Sequence, residues 1–110
     1  MTIDKKWKTL CDRIKTEFNI DADLNGVLFL IGIREMGWMP RKFTKEEKQD
    51  LIDLGTFSLF EMKGYCTRSG NDREGWPMWE IQSDVNAMPA EEKMELLKTT
   101  AIEYMDDVWQ

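Results

Sequence analysis

Apolar residues recur at intervals of three and four from the start of the chain: Ile3, Trp7, Leu10, Cys11, Ile14 and Phe18. Lys5, Lys6, Lys8, Asp12, Arg13, Lys15 and Glu17 fill the opposite side. That period predicts an amphipathic first helix with Cys11 packed inside its apolar stripe. The pattern changes at Leu24. From Leu24 to Met36 only Asn25, Arg34 and Glu35 interrupt a run of apolar and glycine residues. A helix apolar on nearly all sides must be surrounded, so this segment is the expected centre of the molecule. A buried strand is the rival reading of such a run, and length decides for helix, since about 13 residues make about 20 Å. The run is shorter than the roughly 20 apolar residues a membrane span requires. Asp21 or Asp23 can cap its first turn, and Gly37 can take the left-handed position after its last. Gly26 and Gly32 cost helix stability, and close approach of a neighbouring helix is the compensation expected. The polar connection from Asn19 to Asp23 lets the central helix fold back antiparallel on the first.

Pro40 stops any continuation after Gly37, so Trp38, Met39 and Phe43 read as anchors in a loop. Thr44 with Glu47 is a capping box that opens a third helix, Lys45 to about Lys63, closed by Gly64. Its stripe runs through Leu51, Leu54, Gly55, Leu59 and Met62, while Phe57 and Phe60 fall on other sides. The helix therefore touches more than one neighbour or shows a phenylalanine to a partner. Gly55 and Ser58 predict a close crossing on the central helix. Turn formers Ser69, Gly70, Asn71, Asp72 and Gly75 separate Tyr65, Cys66 and Thr67 from the stretch Trp76 to Ile81, which predicts a hairpin with Pro77 on a partly paired strand. Pro89 suits the first turn of a fourth helix, preceded by Ser83, Asp84 and Asn86 and running to about Trp109 through Met94, Leu97, Ala101, Tyr104, Met105 and Val108. The expected fold is mainly α: a single domain over residues 1–110, with four helices and a short β-hairpin or extended loop between helix 3 and helix 4.

Composition agrees with an ordinary folded domain, at 42% hydrophobic and 33% charged residues. The net charge of −6 is uneven, with a surplus of +2 over residues 1–20 and −6 over residues 80–110. An acid excess disfavours phosphate backbones as partners. Histidine is absent, which removes the commonest general base and zinc ligand. Cys11 and Cys66 have no metal or redox spacing, and no apolar leader follows Met1, so free thiols in a reducing cytoplasm are expected. The turn Asn71 to Gly75 lacks the alternating acids of a calcium loop. Carboxylate pairs among Glu35, Asp50, Asp53 and Glu61 carry no specific signal without a pocket. No metal or cofactor is expected, and a small enzyme working without histidine is the minority reading.

Three helices followed by Lys63, Gly64, Tyr65 and a hairpin resemble the helix-then-wing layout of winged helix-turn-helix regulators over residues 24–82, which implies a DNA-binding third helix. That helix, however, carries Asp50, Asp53 and Glu61 where base readout wants basic or amide side chains. The string Glu74, Gly75, Trp76, Pro77, Met78, Trp79 before an acidic last helix is similar to a group of small bacterial proteins, mostly of the Bacteroidota, with no assigned activity. That resemblance implies a bacterial, cytosolic protein.

Five tryptophans and eight methionines are many for 110 residues. Along an extended strand Trp76 and Met78 point one way and Trp79 and Ile81 the other, so one pair can join the core while the other needs cover. Aromatic residues and methionine are enriched at interfaces. The functional expectation is a protein-interaction or assembly module, self-associating as a homodimer or holding a protein partner, with Trp76, Met78, Trp79 and Trp38 as its contact residues. The competing expectation is that these side chains simply pack within the monomer.

Overall fold

The computed structural model describes residues 2–19, 22–37, 42–82 and 87–108. Its elements follow the order α1 (Ile3–Phe18), α2 (Leu24–Met36), α3 (Lys45–Met62), β1 (Cys66–Asn71), β2 (Pro77–Ile81) and α4 (Ala90–Val108). The architecture is the expected one, four helices with a two-stranded antiparallel hairpin before the last.

The helix ends follow from local chemistry. The Thr2 hydroxyl accepts the Lys5 N–H at the start of α1. Asp23 caps α2, its Oδ1 accepting the Gly26 N–H at 2.7 Å; Asp21 lies outside the described residues. Gly37 closes α2 with φ of 72°, donating to the Ile33 and Arg34 carbonyls. The capping box of α3 is complete: the Glu47 N–H donates to Thr44 Oγ1 at 3.1 Å and the Thr44 N–H to Glu47 Oε1 at 3.0 Å. Pro89 sits one residue earlier than anticipated, just before α4, where its carbonyl accepts the Lys93 N–H at 2.9 Å. Ser83, Asp84, Asn86 and Trp109 lie outside the described residues.

The centre of the structure is the crossing of α2 and α3. These helices run antiparallel, and each places a glycine against the other's backbone: Gly32 against the Leu51 carbonyl, Gly55 against that of Leu28. A Cβ at Gly32 would fall 2.7 Å from the Leu51 carbonyl carbon, and one at Gly55 2.9 Å from that of Leu28. Neither helix has room for a methyl group. The approach buries Val27, Leu28, Leu30, Ile31 and Ile33 of α2 with Leu51, Leu54, Leu59 and Phe60 of α3. Ser58, buried in the same contact, donates to the Leu54 carbonyl at 2.7 Å and leaves no orphaned hydroxyl.

The closest partner of α2 is thus α3, where the polar connection after α1 suggested α1. The glycine pair explains this, because only a helix offering its own glycine at the matching position can come so near. Instead α1 lies along α4 in parallel, with the Lys98 ammonium over the Trp7 ring at 5.7 Å and Phe18 near Met105 and Val108. Leu10 and Ile14 of α1 meet Leu97, Ala101 and Met105 of α4 and Val27 and Ile31 of α2 in one core. Cys11 is half-buried on that face, and burial pushes its thiol pKa up. Among the described residues no helix is long and apolar enough to cross a membrane.

Two stability outcomes follow. Ile31→Ala should cost about 2–5 kcal/mol, as deletions at fully enclosed positions do. Gly32→Ala and Gly55→Ala should each cost about 1–3 kcal/mol by forcing the helices apart, with the double variant losing less than the sum because one separation relieves both clashes. Urea unfolding measures all four proteins; additive losses at the glycines would show that the two contacts are independent.

Candidate functional site: a groove between the hairpin and helix α3

The hairpin is fastened to α3 by side chains on one of its faces. Cys66 opens β1 in the core, its Sγ donating to the Phe57 carbonyl at 3.4 Å, and burial pushes its pKa up. Across the ladder β2 pairs Trp79 with Arg68 and Ile81 with Cys66. Trp79 stacks on Phe57 with ring centroids 5.6 Å apart and planes 20° from parallel. The Arg68 guanidinium lies 5.0 Å from the Trp79 ring centroid. Phe57 thus meets the protein's own tryptophan rather than a partner, and α3 does touch several neighbours.

Beyond Arg68 the register shifts, leaving Ser69 as the extra residue before Gly70, whose φ is 126°. The tip is then held by Asp72. Its Oδ1 accepts the N–H groups of Glu74 and Trp76, both at 2.9 Å, and its own N–H donates to the Trp76 carbonyl at 2.8 Å. The Asn71–Gly75 stretch is therefore a turn organised around its own carboxylate, and among the described residues no cluster of His, Cys, Asp or Glu converges as a metal site.

This turn corrects the placement of Trp76. Simple alternation groups it with Met78, opposite Trp79. In the structure Trp76 precedes β2, in the segment tied to Asp72, and it lines the same groove as Trp79. Met78 is turned away and 51% exposed. Ile81, on the Trp79 side by alternation, is 46% exposed all the same. Trp38 lies outside the described residues.

The groove has a volume of about 260 Å³. Leu54, Phe57, Trp76, Pro77 and Trp79 form its apolar walls, and Asp50, Asp53, Asp72 and Glu74 stand around them. Asp50, Asp53 and Phe57 fall on one side of α3 at helical spacing, opposite the hairpin. Asp53 accepts a hydrogen bond from Gln49 at 3.0 Å, and Asp72 is committed to its turn. No Lys or Arg lines the groove among the described residues.

A separate polar cluster bolts the hairpin to the helices. Arg68 Nη2 donates to Glu35 Oε1 of α2 at 2.5 Å and lies 3.4 Å from Ser58 Oγ, while its Nε is 3.6 Å from Glu61 Oε1 of α3. The other Glu35 oxygen accepts the Tyr104 hydroxyl of α4 at 2.8 Å, and Arg34 donates to that hydroxyl at 3.2 Å. Glu35 and Glu61, weighed from sequence as acid and base partners of Asp50 and Asp53, are thus engaged by Arg68 in a different place. Lys63 adds an ion pair to Glu103 at 2.7 Å. The roles of Arg68 and Phe57 were missed by sequence reasoning. A lone arginine in a polar strand was the one available signal for the former.

Comparison of the chain with protein-family models, curated proteins and solved structures finds no match.

The cluster has an alkaline signature. Burial, with the nearby Glu35 carboxylate, outweighs the Arg34 hydrogen bond and pushes the Tyr104 pKa up to about 12. Because an unfolded tyrosine ionises near 10, the native state holds its proton while the unfolded state loses it. Stability from this group is present below about pH 10 and lost between about 10 and about 12, by about 1 kcal/mol once partial exposure is allowed for. Unfolding midpoints measured across that range should fall less for Tyr104→Phe than for the parent protein; parallel curves would place the hydroxyl in ordinary solvent.

Proposed function

We propose that the protein is a binding module, without catalytic activity or cofactor, that uses the hairpin as its contact surface for a protein partner in the cytoplasm. The observation that carries this reading is that one short strand both anchors the hairpin and exposes apolar side chains. Trp79, Cys66 and Arg68 fix it to α3 and α2, yet Met78 and Ile81 of the same short strand remain about half exposed. A rigid platform that presents apolar side chains loses little entropy on association, which favours binding. Burial of the exposed half of Met78 alone offers on the order of 1 kcal/mol. The hairpin edges support the same reading, since among the described residues the sheet has only two strands and Pro77 begins one of them.

The regulator reading is weaker. Helix α3 buries Leu51, Leu54, Gly55, Ser58, Leu59 and Phe60 and turns Asp50 and Asp53 toward the groove beside the hairpin. A duplex would meet those carboxylates, and the wing's Arg68 is already paired with Glu35 and Glu61. Gel shifts at physiological salt with random and selected duplexes should show no sequence-specific binding; a tight complex abolished by Lys45→Glu with Lys48→Glu would reverse this ranking.

Affinity capture from a native lysate, with the parent protein beside a Met78→Asp, Ile81→Asp variant, tests the proposal. Both positions are exposed, so the variant should melt as the parent does. A stoichiometric partner retained by the parent and lost by the variant is the expected result. A partner retained equally by both, or none retained by either, overturns the hairpin as contact surface.

A further inference from the structure

The groove between the hairpin and α3 combines two properties. Its walls are apolar and largely aromatic, through Phe57, Trp76, Pro77 and Trp79. Among the described residues its rim is acidic, with Asp50, Asp53 and Glu74 exposed to solvent. Resting on the reading of the hairpin as a contact surface, we propose that the groove takes the side chain of a lysine or arginine from a basic segment of a partner protein.

Size, shape and charge lead to the same occupant. At about 260 Å³ the groove lies at the small end of the roughly 300–1,000 Å³ typical of small-molecule and cofactor sites and has room for one long side chain. Lysine and arginine bury an apolar stem while their charged head stays near water. Here the stem lies along the tryptophan and proline walls, and the head reaches the carboxylates at the mouth. An anionic occupant would face four carboxylates, and a purely apolar one would leave the charged rim unanswered. The chain already contains the same pairing in miniature, since Arg68 lies over Trp79 while Glu35 and Glu61 neutralise it. The site is also held in shape beforehand. Asp72 fixes the turn bearing Trp76 through two backbone N–H groups, and Phe57 and Trp79 are stacked, so little must be ordered on binding.

The experiment follows tryptophan indole N–H signals by NMR during titration with an Arg-Ser-Gly repeat peptide of about nine residues, and with its counterpart carrying glutamate for arginine. The signals of Trp76 and Trp79, assigned with Trp76→Phe and Trp79→Phe, should move with the basic peptide alone. Raising salt from about 0.05 to about 0.5 M should weaken binding by about tenfold or more. Asp50→Asn with Asp53→Asn and Glu74→Gln should weaken it similarly while leaving the melting curve in place, because all three side chains are exposed. Equal movement with both peptides, or unchanged affinity in the triple variant, overturns the assignment. Movement of the same signals with the protein's own concentration, removed by Lys5→Glu and Lys6→Glu, would give the groove to a second copy and also overturns it. If peptide binding fails while the Met78 and Ile81 variant still loses a captured partner, the contact surface stands and only the cationic occupant falls; if both fail, both readings fall together.

Discussion

The glycine crossing of α2 and α3 is the contact on which the rest of the fold depends. It brings two helix backbones together with no side chain between them, and the antiparallel pair sets each glycine against the carbonyl four residues before the other. With that distance fixed, Leu59 and Phe60 join Val27, Leu28, Leu30 and Ile31 in the main core, and Leu51 and Leu54 are buried as well. The position of α3 then fixes Phe57, on which the hairpin rests, and Glu61, which helps hold Arg68. A small displacement at the crossing would carry through to the groove, because packed interiors transmit strain.

Most of the helical framework was legible in the sequence because its signals are local. The caps Asp23 and Thr44 and the stops at Gly37 and Gly64 each act within one turn of chain, and apolar periodicity reports which face is covered. Gly55 and Ser58 announced the close crossing of α3 on α2, although the matching of Gly55 with Gly32, and the placing of α1 along α4 rather than antiparallel on α2, needed three dimensions. The hairpin was legible from its turn residues and Pro77, but its register was not. One extra residue at Ser69 and a turn wound around Asp72 separate Trp76 from the alternation of β2. A period-two argument is only as good as the last paired residue.

The groove and the polar cluster were the least legible parts, for a common reason. Each is assembled from segments far apart in sequence, and each uses residue types that are unremarkable alone. Asp50 and Asp53 read as a solvated helix face, and Asp72 and Glu74 as a solvated turn, until the hairpin folds back over α3. Glu35 and Arg68 lie 33 residues apart and become partners only through that folding. The cluster ties α2, α3, β1 and α4 through a chain of charge-assisted bonds that are partly exposed. Its contribution is then more to the placement of the hairpin than to overall stability.

The pairing of α1 with α4 bears on how the molecule comes into being. The central helices are separated by only eight residues, 37–44, so their crossing can form as soon as both have left the ribosome. The first helix finds only part of its cover early, from Val27 and Ile31 of α2. Lys98, Ala101 and Met105, against which the rest of that face closes, come about ninety residues after Trp7, Leu10 and Ile14. Until α4 has been made, the part of this stripe that α2 does not cover is an apolar surface on a nascent chain. The five basic residues interspersed along α1 keep that face charged at its margins during the interval.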